Sequence, residues 1–245
     1  MPPKFPLFAD LRQIISRLSG GCGDKRLPHL VKGADLAQSC LGDLRQAELC
    51  CYALESLLIS PRKQNTDERS TTEGALLMSA VLFYARATNT QSGRGSSQIR
   101  NLLAKNNQLL HDSIIEVRDR AIAHVDIGMT AGGDHWHNST MFIVETNLGW
   151  KVGSVSQRIQ LHRPTLNALK ALLPLAKSIL EQRFQKKVAQ LSEHMNKVKL
   201  NDSDLIDPMA YFGSEAAVRH ALSGIDAGFA HGYSRSSSSS LRPSN

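Results

Sequence analysis

Leu110-His111-Asp112-Ser113-Ile114-Ile115-Glu116-Val117-Arg118-Asp119-Arg120-Ala121-Ile122-Ala123-His124-Val125-Asp126 threads two arginines, two histidines and four carboxylates through an apolar repeat. Leu110, Ile114, Val117, Ala121 and Val125 recur at spacings of three and four, which predicts a helix over 108–125. Asp126-Ile127-Gly128 and Gly132-Gly133 end it. An α-helix turns about 100° per residue. On that wheel His124 falls on the apolar stripe with Val117 and Ala121, Arg118 on one edge of it and Arg120 on the other. An imidazole placed there is either a satisfied core or interface residue or a group held at the lip of a cleft.

Upstream, Ser70 and Glu73 form a capping-box pattern that opens a helix of about 71–87. Its run Ala75, Leu76, Leu77, Met78, Ala80, Val81, Leu82, Phe83 is apolar nearly all round, so a central, largely buried helix is expected. Before it, Leu36, Cys40, Leu44, Ala47, Cys51, Leu54 and Leu58 predict a helix over 36–59, capped by Asp35 with Gln38 and stopped at Ser60-Pro61. Asp10 to Leu18 reads as one short helix. Gly20 to Lys25 lacks the spacing of a phosphate loop and reads as a plain loop. A charged loop is expected over 62–69, another over 91–96, and a short helix around 97–105.

Downstream the period changes. Thr140 to Thr146 and Trp150 to Val155 are β-branched and aromatic, with Asn147-Leu148-Gly149 between them, which predicts a hairpin over 139–156. Pro164 suits a helix start. The stripe Leu166, Leu169, Leu173, Ala176, Leu180, Phe184, Val188, Leu191, Met195, Val198 then runs roughly 50 Å at 1.5 Å per residue. Its second half should overhang the bundle, pack on the N-terminal segment or meet another chain. A short helix is expected near Ser214 to Leu222, followed by a Ser-rich tail of disordered composition. The expected fold is all-α in the main: a bundle of about five helices with one β-hairpin before the last long helix. The expected organisation is an N-terminal extension over 1–34, the bundle over 35–200 and a C-terminal extension over 201–245.

The chain has 245 residues, 41% hydrophobic but only 5% aromatic, so Leu and Ala carry the core and favour helix. Its formal charge of +7 suits a partner bearing phosphates without specifying one. Cys22, Cys40, Cys50 and Cys51 contain no CxxC pair and read as free thiols of a reducing compartment. No signal-like or membrane-length apolar run is present, so a cytoplasmic location and no membrane partner are expected.

Arg118-Asp119, four intervening residues and His124 resemble the motif helix of the HEPN superfamily. The wording Arg-Asp-Arg-Ala-Ile-Ala-His-Val-Asp, the upstream Ala80 to Thr88 and the hairpin after the motif are similar to a subgroup found in abortive-infection proteins. The resemblance covers about residues 35–200. It implies a metal-independent ribonuclease, with no cofactor, in which a 2′-hydroxyl attacks the adjacent phosphate. His124 would be the acid/base, Arg118 the phosphate clamp and Asp119 the polar partner that orients one of them. It also implies a homodimer whose two motif helices share one cleft, and a toxin or defence role with an antitoxin or defence partner. Some members carry a tyrosine two residues after the histidine; Asp126 stands there in this chain, so regulation by modifying that position is not supported.

Other clusters keep two readings. Arg120 is either an RNA contact or the partner of Glu116 at i,i+4. Lys186 and Lys187, within a basic run on the long helix, are either RNA-binding or a solvated face. Asp134-His135-Trp136-His137 places two histidines at i,i+2, but no third ligand has zinc spacing, so a polar, substrate-side loop is expected and no metal. The functional alternatives are therefore an RNA-cleaving defence or toxin component and a non-catalytic module for dimerisation or for binding RNA or protein.

Overall fold

The computed structural model describes residues 8–19, 26–61, 66–89, 97–123, 130–131, 133–198 and 205–226. The element order is β1 (Phe8–Ala9), α1 (Leu11–Ser19), α2 (Arg26–Ile59), α3 (Asp67–Thr88), a 3₁₀ turn (Ile99–Leu102) and α4 (Lys105–Glu116). A π-helical segment (Val117–Ala123) continues α4. Then come β2 (Thr130–Ala131), β3 (Asp134–His135), β4 (His137–Thr146), β5 (Gly149–Arg158), α5 (Arg163–Met195), β6 (Leu205–Ile206), α6 (Pro208–Phe212) and α7 (Glu215–Asp226). The protein is mainly helical, with the expected hairpin before the long helix.

Two compact units divide the chain: Met1–Pro28 with His194–Asn245, and His29–Glu193. In the first, β1 and β6 pair antiparallel, Phe8 opposite Ile206 and Ala9 opposite Leu205. Asp207 caps α6 by accepting from the Met209 N–H at 2.9 Å. Ser214 does the same for α7 through Ala217. Ile14, Leu27 and Val218 are fully buried.

The second unit holds the core. α2 contributes Leu41, Leu44, Ala47, Cys51 and Leu54, spaced three or four apart so that one stripe faces inward. α3 contributes Leu77, Ala80, Val81 and Tyr84, and α5 contributes Leu166, Leu169, Leu172, Leu173, Ala176 and Leu180. Beyond Leu180 the described residues of α5 are half-buried or exposed, as the length of the stripe requires. Leu180 itself lies in the chain's own core and is no surface for a second copy. No described helix is long and apolar enough to cross a membrane.

Several boundaries depart from expectation. Asp35 is no cap: α2 starts at Arg26, with Pro28 in the first turn, where its missing N–H costs nothing. α3 starts at Asp67, four residues before the expected start, capped by Thr66, whose hydroxyl accepts from the Arg69 N–H at 3.2 Å. Glu73 instead takes Arg69 Nε at 3.1 Å. Nor is α3 buried all round, since Leu82 is exposed. Leu110, expected on the inner stripe, faces outward, and His111 is buried in its place. The exchange is possible because the Tyr84 hydroxyl lies 3.0 Å from His111 Nδ1, so the buried imidazole keeps a hydrogen-bond partner. The loop Gly20 to Lys25, most of the loops expected over 62–69 and 91–96, the terminator Asp126-Ile127-Gly128 and the Ser-rich tail lie outside the described residues.

The hairpin strands are longer than expected and pair in register from His137 opposite Arg158 to Thr146 opposite Gly149. Gly149 adopts φ 94°, a left-handed conformation that a side chain would strain. At the base, Gly74 of α3 admits Gln160: a Cβ there would collide with the Gln160 Oε1.

Candidate functional site

α4 does not run on as an α-helix through the motif. The Val117 N–H is shared between the Ser113 and Ile114 carbonyls, and from Val117 the backbone widens into π geometry. The wheel drawn at about 100° per residue therefore fails from Val117 onward, because a π turn takes an extra residue. Val117 and Ala121 remain buried; Arg118, Asp119 and Arg120 lie outward of them. The segment packs against α3 and β2. Single π turns inserted in α-helices occur often at functional sites.

Arg118 faces α3. With Ser79, Leu82, Phe83, Ala85 and Arg86 it lines a pocket of about 390 Å³. Its Nε lies 2.7 Å from Asp119 Oδ1, within ion-pair range. The angle is too poor for a hydrogen bond, so this buried Nε–H has no hydrogen-bond acceptor among the described residues. The pair is thus a coulombic neighbour rather than a locked fork. Asp119 lies beside Arg118, whereas His124 lies outside the described residues.

Arg120 turns away from this pocket. Its Nη1 sits 3.2 Å from Glu116 Oε1, the expected i,i+4 ion pair, and donates to the Thr130 carbonyl at 3.3 Å. Lys186 and Lys187 line a different cavity, on α5.

Arg86 is a residue that sequence reasoning passed over. Its guanidinium stands 5.0 Å from the centre of the Phe83 ring. It also grips Asp43 of α2 at two points, Nε to Oδ2 at 2.9 Å and Nη2 to Oδ1. The available signal was an arginine inside the otherwise apolar run Ala80 to Thr88. Two guanidinium groups thus line one pocket, each beside a carboxylate of its own. Such an arrangement can orient a phosphate or a planar group without a strong net field.

Behind the pocket wall, burial pushes the Tyr84 hydroxyl well above and the His111 imidazole below their ordinary values. Both are therefore neutral near pH 7, and their hydrogen bond joins α3 to α4.

Asp134-His135-Trp136-His137 does not form the expected substrate-side loop throughout. Trp136 is buried in the core and its indole N–H donates to the Ala131 carbonyl at 2.8 Å. Asp134 Oδ2 meets His162 Nε2 at 2.7 Å, and His162 Nδ1 lies 2.7 Å from Thr165 Oγ1. The order Asp134, His162, Thr165 has the outline of a nucleophile relay. Thr165 is buried at the start of α5, however, so the three fasten the loop to the helix. Among the described residues no three His, Cys, Asp or Glu side chains gather as a metal site. Cys40, Cys50 and Cys51 are free thiols; burial, with Cys50 and Glu55 alongside, pushes Cys51 up to about 12, so it is unreactive as a nucleophile at neutral pH.

No family model, no curated protein and no solved structure matches this chain.

Proposed function

We propose that this chain is a HEPN-like protein that cleaves RNA without a metal ion, as a toxin or defence component. In the reaction a 2′-oxygen forms a bond to the adjacent phosphorus and the bond from phosphorus to the 5′-oxygen breaks. His124 takes the 2′-hydroxyl proton or supplies one to the departing 5′-oxygen, and a partner copy's motif supplies the other transfer. Arg118 holds the phosphate as charge builds on its equatorial oxygens, and Asp119 orients that guanidinium. The observation that carries the reading is the placement of Arg118 at the edge of an open pocket beside a second arginine, on a helix that widens at the motif.

Purified protein should cut single-stranded RNA in EDTA. His124→Ala should lower the rate by about 10²–10⁴, and Arg118→Ala by about 10²–10³, with the circular dichroism spectrum unchanged. Full cutting by folded His124→Ala sinks the proposal.

The hairpin favours a second reading, a non-catalytic interaction module. On one face Met141, Ile143, Trp150 and Val152 lie side by side and are 65–73% exposed. On the other, Phe142 covers Gly153. A two-stranded ribbon is marginal by itself, and an exposed apolar face of this kind is common at interaction surfaces. This reading predicts no cutting, with binding that is lost on Ile143→Asp and Trp150→Ala.

A further inference from the structure

α2 and α5 of the second unit are joined by ion pairs in antiparallel order. Lys170 meets Glu55, and seven residues on in α5 and seven back in α2, Lys177 meets Glu48 at 2.7 Å. Farther along, α5 presents Arg183, Lys186 and Lys187 to a cavity of about 410 Å³ whose α2 lining is Gly33, Leu36 and Ala37; Asp35 and Asp43 of α2 are not part of that lining.

None of these three cations forms an ion pair among the described residues. The Arg183 guanidinium donates to the Ser97 carbonyl, which fixes its direction and leaves its charge. The Lys187 stem lies across Gly33: a Cβ there would meet its Cε at 3.2 Å and its Cδ at 3.3 Å. Positions 183, 186 and 187 are i, i+3 and i+4 neighbours, so like charges sit within one helical turn, an arrangement that opposes folding unless an anion joins it. Below them, Ala37 and Leu180 are buried apolar residues and Leu36 is half-buried. The volume is in the range of small-ligand sites.

We propose that this cavity binds a small organic anion, whose phosphate or carboxylate head supplies the negative charge absent from the α2 lining and whose short apolar body lies against Leu36, Ala37 and Leu180. The cavity shares no lining residue with the Arg118 pocket. The inference is therefore independent of RNA cleavage.

The test is calorimetric titration of the full chain with hexyl phosphate, hexanoate, inorganic phosphate, hexanol and a short single-stranded RNA. One hexyl phosphate or hexanoate should bind per chain, at least tenfold more tightly than inorganic phosphate, and hexanol should not bind; the tighter of the two identifies the head group. Lys186→Ala with Lys187→Ala should weaken binding at least tenfold. Gly33→Glu should do the same by placing a carboxylate beside Lys187, and if that variant does not fold the double lysine variant decides alone. Absence of saturable binding, equal affinity for inorganic phosphate, or binding unchanged in the double variant overturns the proposal. RNA binding that needs these lysines while neither hexyl anion binds overturns it too, and gives the lysines to an RNA backbone.

Discussion

The two arginine-bearing pockets of the helical unit differ in how their charges are balanced. Around the first, Arg118 sits by Asp119 and Arg86 is held by Asp43, so each cation has a carboxylate. Around the second, no carboxylate lines the cavity with Arg183, Lys186 and Lys187, and none pairs with them among the described residues. A paired guanidinium gives direction with little net field, which suits a site where charge develops briefly during a reaction. An unpaired triad gives a standing positive potential, which suits a site that holds an anion. The helical unit thus carries one pocket whose arginines each lie beside a carboxylate and one whose cations have no carboxylate partner among the described residues.

The sharpest way to break this contrast is to remove the pairing in the first pocket. Asp43 is 8% exposed at its side chain, and Arg86 gives it two hydrogen bonds. Arg86→Ala should lower unfolding stability by about 1–2 kcal/mol, the low end of the cost of a buried charged acceptor left short of donors, because the guanidinium is itself half in water. Urea denaturation reads this directly. Asp43→Asn with Arg86→Gln should recover part of the loss. No change in the single variant would mean that Arg86 is not held, and the pocket would lose its fixed wall.

Acid should act on that same wall. Burial lowers the His111 pKa, and Arg100 adds to the effect while Asp112 opposes it. Below its ordinary value of 6.5 the unfolded chain binds a proton that the folded chain refuses. This contribution to stability is therefore complete above about 6.5 and lost as pH falls toward the lower folded value. Hydrogen exchange in α3 and α4, corrected for intrinsic rates, should increase more between pH 7 and pH 5 than in the end of α2 and α5 that borders the second cavity. His111→Asn should flatten the pH dependence. Equal changes in the two regions would remove the distinction.

Periodicity made the helices and the hairpin legible, because apolar spacing follows burial wherever geometry stays regular. It misplaced the start of α2, since Arg26 to Lys32 is capped by no sequence pattern and is helical through context. It failed at Leu110 and His111 because the imidazole is buried by virtue of Tyr84, twenty-seven positions away in sequence. It failed past Val117 because a π turn shifts every later side chain relative to a wheel of 3.6 residues. Around the candidate site, the Glu116–Arg120 pair could be read from local spacing, whereas Arg118 and Asp119 were singled out by the resemblance of their helix. The role of Arg86 could not be read, because its partner Asp43 belongs to another helix. The lack of a carboxylate in the cavity lining beside Lys187 was equally hidden, since an absence becomes visible only when α2 and α5 are set side by side.

The smallest effect should also be the most discriminating, because it changes sign between neighbours on one helix. Lys177 is about three-quarters buried and pairs with Glu48. Lys177→Ala should cost about 0.5–1 kcal/mol, near the upper end for a partly exposed pair. Lys187 has no carboxylate partner among the described residues and sits four residues from Arg183. Lys187→Ala should be neutral or stabilise by about 0.2–0.5 kcal/mol through relief of like-charge repulsion. Raising the salt concentration should shrink both differences toward zero, and hexyl phosphate should abolish the gain from Lys187→Ala because the anion itself removes the repulsion. Two losses of the same sign and size would mean that Lys187 contributes through the packing of its stem on Gly33 rather than through its charge, and the contrast between the two pockets would then rest on Arg183 and Lys186 alone.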